Sequence, residues 1–465
     1  MVFSSISFVY YFLPITLLLY FIVPNKFKNF ILLLASLLFY FYGEPRYIII
    51  LIFSCIFNYY AGKLLEKQTK KTRKLILIID IMVNFGTLFY FKYFNFFLEN
   101  INYIFNTNFN LLNITMPIGI SFFTFQASSY VIDIYNKKIK SSSSLFNFAT
   151  YLSLFPQLIA GPIVRYETIE KNLNNRKVTA DLFATGIKRF IVGLTKKVLI
   201  ANVLGEFSKN LANMTAKTVL SYWQQAISNM LQIYFDFSGY SDMAIGLGMM
   251  FGFEFLENFN YPFIAKSITD FWRRWHISLS SWFRDYVYIP LGGNRVNAVR
   301  RYLNILIVWM TTGLWHGASW NFILWGLYFA IILIIEKLFL LKFINKHPVI
   351  GHIYTIFLVL ISFIIFNTDN VKSIAIFLKS MFFLNNLKFS NLETIYYLKN
   401  YVGVLIVAII FSCPIFNTIK NKVPKNKTIT KILNILEPIT YILLLIICTA
   451  YIVDESFNPF LYFRF

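Results

Sequence analysis

Two histidines forty residues apart are the side chains of this chain best suited to chemistry. His276 sits in Asp270-Phe-Trp-Arg-Arg-Trp-His276, and His316 in Gly313-Leu-Trp-His316-Gly-Ala-Ser-Trp-Asn321. The sequence holds only four histidines among 465 residues, and 57% of its residues are hydrophobic. A neutral imidazole is the side chain best matched to moving protons near neutral pH. An ionisable group at membrane depth is costly unless it lines a polar cavity, so its presence there points to function. His316 reads as a general base that deprotonates an acceptor hydroxyl inside the bilayer. The bland alternatives are a histidine hydrogen-bonded between helices for His316 and an interfacial histidine among arginines for His276. Spacing alone does not bring the two together.

Other polar groups surround these positions in sequence. Asp236 and Asp242 lie in Tyr234-Phe-Asp-Phe-Ser-Gly-Tyr-Ser-Asp242, followed by an apolar run. Buried charges are normally paired. The two acids are therefore read first as ion-pair partners, with arginines of the 273–301 region as candidates, and otherwise as groups that line a cavity or orient a histidine. The string Ile289-Pro-Leu-Gly-Gly-Asn-Arg295 is a glycine-rich turn ending in a cation, a pattern able to cradle a phosphate. It lacks the spacing of a nucleotide-binding loop. No HExxH or GxSxG string occurs, and no metal site is expected.

The elements that must position these groups belong to a membrane. A soluble domain is roughly 45–50% apolar; this chain exceeds that, with 53 Phe, 30 Tyr and a mean hydropathy of +0.60. Apolar runs recur from end to end, so residues 1–465 read as a single membrane domain. Candidate spans are 6–23, 29–42, 47–61, 75–97, 115–135, 187–204, 222–250, 302–318, 320–341, 350–366, 400–418 and 432–451, which predicts about 11 or 12 helices at roughly 20 residues per crossing. The first run reads as a retained span, not a cleaved leader. The net charge of +22 clusters between apolar runs, as at Lys63–Lys74, Asn136–Lys140 and Lys420–Lys427. That is the pattern of cytoplasmic loops, not of a nucleic-acid surface. Placing those loops inside leaves both termini outside. Cys55, Cys413 and Cys448 each lie within an apolar run and read as small buried hydrophobes.

Two stretches fit no simple span. Residues 146–163 are apolar but carry Pro156, Gly161 and Pro162, as a broken or re-entrant helix would. Residues 253–301 mix aromatics with Lys266, Arg273, Arg274, Arg284, Arg295, Arg300 and Arg301, which predicts short helices at the cytoplasmic interface. Residues 367–399, with four lysines on an outer loop, predict an amphipathic interfacial helix.

Several long strings resemble one family. They are Met116–Gln126, Tyr130-Val-Ile-Asp133, Phe155–Tyr166, Tyr234–Asp242, Asp270–Gly293, Gly313–Asn321, the opening Met1-Val-Phe-Ser-Ser and the closing Asn458–Phe465. Together they look like a membrane-bound O-acyltransferase of the alginate O-acetyltransferase branch, and they span nearly the whole chain. The resemblance implies an all-α polytopic fold, a ring of tilted helices with re-entrant and interfacial helices around a central tunnel, and a catalytic core at 115–345. It implies that His316 is catalytic, with His276 as the second polar residue of the site. It also implies an acetyl donor, expected to be acetyl-CoA as substrate with no bound cofactor. The acetyl group would cross the cytoplasmic membrane to a hydroxyl, usually on a partner of the SGNH-hydrolase type, and so to a polysaccharide outside. Within that frame the expected substrate-binding set is Trp315, Trp275, Arg273, Arg274, Arg284, Arg295, Asp236 and Asn321, the arginines holding the donor phosphates through their fork geometry. Two alternatives stay open: D-alanyl transfer to teichoic acids by a related branch, and transport of a polysaccharide intermediate, a different class that would usually show internal repeats.

Overall fold

In the computed structural model, the described residues are 1–415, 418 and 427–454, with side chains described for all of these except 427–431. The basic stretch Lys420–Lys427, apart from the backbone of Lys427, and the closing string Asn458–Phe465 lie outside them. Among the described residues there are helices and no strands. Each of the twelve expected apolar runs contains a helix. Five helices are both long and apolar enough to cross a membrane: Ile48–Lys67, Lys70–Lys92, Pro348–Asn367, Leu392–Phe411 and Ile432–Asp454. The others are shorter or more polar. Ala180–Thr195 continues without interruption into the π-helical turn Lys196–Asn202 and then Val203–Ala212, and this run carries Lys188, Arg189, Lys196 and Lys197.

The chain divides into two compact units. The first comprises Met1–Phe190 and Met243–Leu256, the second Ile191–Asp242 and Glu257–Phe465. In the first unit, Ile48–Lys67 and Lys70–Lys92 pack on Ile120–Tyr135. Polar side chains tie these apolar helices together. The Asn84 amide donates to Asn58 Oδ1 at 2.9 Å, and Arg73 donates to the carbonyls of Leu65, Ile134 and Tyr135 at 2.7, 3.0 and 2.8 Å. Residues 146–163 form a broken helix, Leu145–Ser153 and then Phe155–Leu158. The break falls at Leu154, just before Pro156, whose missing N–H suits the first turn of the second piece.

The second unit carries both histidines. Residues 257–301 are a series of short pieces, Pro262–Ile264, Ile268–Arg274, Ile277–Phe283 and Arg284–Tyr288, leading into Ala298–His316. This last helix turns back through Gly317–Ser319 into Trp320–Ile335, and the two pack along their length. Gly313 makes their close approach possible, because a Cβ there would fall inside contact distance of the Phe322 carbonyl oxygen. Gly317, by contrast, is not on the helix face: it is the residue after the last turn, in extended backbone. Gly313→Val should therefore force the pair apart and lower thermal stability in detergent by at least the 1–3 kcal/mol typical of overpacking. Gly86→Ala, at a position with open space around it, should be near neutral in the same assay.

The first turn of Val219–Met250 is capped from far along the chain. The N–H groups of Val219 and Leu220 donate to the carbonyls of Lys388 and Phe389 at 3.1 and 2.9 Å. The Thr218 and Thr394 hydroxyls meet at 2.8 Å, and the Trp223 indole donates to the Met381 carbonyl at 3.0 Å. Residues 367–399 hold the short helix Val371–Met381, which leads into this cap.

Candidate active site

His316 is the last residue of Ala298–His316, and His276 immediately precedes Ile277–Phe283. Both are buried, at 6% and 0% exposure. One side chain joins them. The Trp315 ring lies 6.0 Å from the His276 ring and 5.0 Å from that of His316. Around His316 the walls are Trp325 and Phe366, with ring centroids at 5.0 and 5.1 Å; around His276 the wall is Phe237, at 4.6 Å. The site is a pair of imidazoles in an aromatic box.

His276 has a left-handed backbone, φ +44°, which costs energy for any side chain but glycine and marks a position held by its surroundings. The holding group is Asn258, fully buried, whose Oδ1 lies 3.2 Å from His276 Nδ1 and accepts from the Ser278 N–H and hydroxyl at 3.1 and 2.9 Å. The backbone adds a further tie, the Ile277 N–H donating to the Asn258 carbonyl at 3.0 Å. Burial lowers the pKa of His276 to about 3, so the ring stays neutral at physiological pH.

A cavity of about 210 Å3 has neither histidine in its lining, but its lining reaches Thr312, one turn before His316. Ile305, Val308, Trp309 and Thr312 line it along one face of Ala298–His316, and His316 is the next residue of that stripe, one turn beyond Thr312. Trp272 lines the cavity too and packs on Trp325, ring centroids 5.6 Å apart, so one aromatic wall runs from the cavity to His316. The cations in the lining are Arg284 and Lys337.

The other expected substrate-binding residues fall in several places. Arg284 lines the cavity while pairing with Asp285 at 2.7 Å. Arg274 pairs with Asp270 one turn earlier, at 3.0 Å. Arg273 and Arg295 are exposed and outside the cavity lining. Trp275 packs in an aromatic cluster with Phe271, Phe259 and Phe363. Asn321 pins the turn after His316, accepting from the Ser319 hydroxyl and donating to the Phe366 carbonyl at 3.1 Å. Asp236 is buried against Lys197 at 2.5 Å, and Asp242 meets Lys196 at 2.6 Å. The acids thus pair with neighbouring-helix lysines, not with arginines of 273–301. The two helices come close at Gly239, where a Cβ would stand 2.8 Å from the Gly193 carbonyl. In the turn 289–295 the N–H groups of Gly292, Gly293 and Arg295 donate to Ile289, Tyr288 and Gly292 carbonyls at 2.9, 2.9 and 3.0 Å. Those donors are spent within the turn, so it makes no phosphate nest.

Sequence reasoning passed over Asn258, Lys337, Lys196 and Lys197. The lysines carried a signal, since cations inside or at the edge of apolar runs need a reason to be there. Asn258 carried none.

The membrane-bound O-acyltransferase family profile matches residues 50–371. The chain belongs to the membrane-bound O-acyltransferase family. It is accordingly an O-acyltransferase and a polytopic membrane protein of all-α architecture. The family match contains both histidines and the cavity. Over 418 residues, 88% of this chain and 80% of the relative, it is 39% identical to a Pseudomonas aeruginosa protein named probable alginate O-acetylase. It is 36% identical to the peptidoglycan O-acetyltransferase of Helicobacter pylori, covering 84% of this chain and 82% of that one. The teichoic acid D-alanyltransferase of Bacillus subtilis is 32% identical over 234 residues, 48% of this chain and 59% of the relative.

Proposed function

We propose that this O-acyltransferase carries acetyl groups from acetyl-CoA on the cytoplasmic side of the cytoplasmic membrane toward a polysaccharide outside the cell, with residues 115–345 as its catalytic core. The observation that carries the reading is the aromatic cavity with Arg284 and Lys337 in its wall, lined by the helix face on which His316 stands one turn beyond the last lining residue, Thr312. Cations suit the phosphates of a nucleotide thioester, and a largely apolar lining suits its pantetheine arm. The acetyl branch is favoured over the D-alanyl branch because the acetylase relatives match 84–88% of the chain and the D-alanyl relative 48%.

In the reaction, the acceptor hydroxyl oxygen bonds to the thioester carbonyl carbon, the C–S bond breaks, and the thiol leaves. His316 takes the hydroxyl proton as the bond forms and returns it to the departing thiolate. His276 stands beside it as the second polar group. The acceptor hydroxyl belongs to an extracytoplasmic partner of the SGNH-hydrolase type, which passes the acetyl on to the polymer.

The test has two arms. Deleting the chain should remove O-acetyl esters from secreted or wall polysaccharide; unchanged acetylation ends the acetyl reading and directs the assay to D-alanyl esters. In purified protein, Arg284→Ala with Lys337→Ala should raise KM for acetyl-CoA about 10- to 100-fold, the worth of one charged hydrogen bond, while kcat changes little.

A further inference from the structure

We infer that Asn258 holds His276 in the tautomer protonated on Nδ1, so that its Nε2 enters the site as a hydrogen-bond acceptor and never as a donor. The Ser278 backbone N–H can only donate. The Asn258 atom facing it at 3.1 Å is therefore the carbonyl oxygen, and the amide orientation follows. That same oxygen is the atom 3.2 Å from His276 Nδ1. Two acceptors do not bond each other, so Nδ1 carries the hydrogen. The Ser278 hydroxyl also gives its proton to the same oxygen, at 2.9 Å, and lies farther from Nδ1, at 3.5 Å. The second ring nitrogen, Nε2, is buried with a lone pair and no hydrogen-bond partner among the described residues.

The inference rests on the proposed transfer and sharpens it. The proton of the attacking hydroxyl goes to His316, so Nε2 can accept only from a second O–H or N–H of the acceptor, and through it orient the acceptor toward the thioester. It cannot stabilise the negative charge that develops on the carbonyl oxygen, a task that needs a donor. A candidate donor is the indole N–H of Trp272, a cavity-lining residue, buried and with no hydrogen-bond partner among the described residues. Asn258 is then a positioning residue, two steps from the reacting atoms and decisive for which nitrogen faces them.

The experiment is 15N NMR of histidine-labelled full-length protein in lipid nanodiscs. Four histidines give four imidazole spin systems, and His276→Asn identifies one by its loss; asparagine tolerates the left-handed backbone. The expected result is an Nδ1–H pattern for His276. Asn258→Leu should shift that signal toward the other tautomer and lower kcat about tenfold at unchanged KM for the donor. Asn258→Asp, which keeps an acceptor oxygen in place, should retain both the tautomer and most of the rate. An Nε2–H pattern in the unaltered protein overturns the inference, as does an Asn258→Asp protein with the Asn258→Leu spectrum. Failure of the acetyl-transfer reading would show separately, as absent turnover with the tautomer intact.

Discussion

His316→Ala should lower acyl transfer by about 10^2- to 10^4-fold, the range in which positioned general bases contribute, at matched membrane levels and with little change in KM for the donor. The side chain is buried, closes an aromatic box and follows the cavity stripe by one turn, so its removal takes away the proton acceptor without touching Arg284 or Lys337. His316→Gln is the informative companion. It keeps a polar side chain of similar reach but offers no base, and should be as inactive as alanine. A glutamine variant with near-normal turnover would make His316 a packing residue. Turnover and thermal stability should be measured on the same preparations, because loss of the ring also unpacks Trp325 and Phe366.

Lys197→Met should lower stability strongly. Lys197 and Asp236 are each 3% exposed and 2.5 Å apart. Removing one member of a buried ion pair costs about 3–5 kcal/mol in comparable pairs. Lys197→Met with Asp236→Leu should recover most of the loss, because replacing both charges by apolar groups avoids the desolvation penalty altogether. Thermal unfolding of the purified protein followed by size-exclusion chromatography measures both. If the double variant is no better than the single, the pair does not account for the loss. Phe237, next to Asp236, walls His276, so the double variant also reports whether the helix still delivers that wall when its charges are gone.

How much of this was legible depends on the kind of interaction. The helices were readable because crossing a bilayer demands long apolar runs, and every such run contains a helix. His316 stood out because ionisable groups are rare in such runs and expensive, and His276 because the chain holds only four histidines. The partners of Asp236 and Asp242 were not readable. They depend on which helices touch, and that is set at Gly239 by a backbone contact with Gly193 that leaves no pattern. Arg274 and Asp270, four residues apart on one short helix, were the readable kind of pair. The glycine-rich turn misled because composition reports conformational freedom but not where the N–H groups point. Asn258 was invisible for a related reason: it acts through one oxygen shared between a main-chain N–H, a hydroxyl and an imidazole, and asparagines doing nothing of the kind are common in the same chain.

The long-range cap on Val219–Met250 also sets an order of events during synthesis. The helix that carries Asp236 and walls His276 is made about 170 residues before Lys388 and Phe389, whose carbonyls receive its first N–H groups. At about 5–20 residues per second that interval is roughly ten to thirty seconds. For that time the N–H groups of Val219 and Leu220 must wait without those carbonyls, with only the local cap from Thr218 to Ser221 in place, and both histidines are delivered before the carbonyls are. The catalytic pair is thus present in the nascent chain before the element that frames it is secured, and a product truncated ahead of residue 388 would contain every candidate reactive group yet lack the fastening that holds the helix start in register.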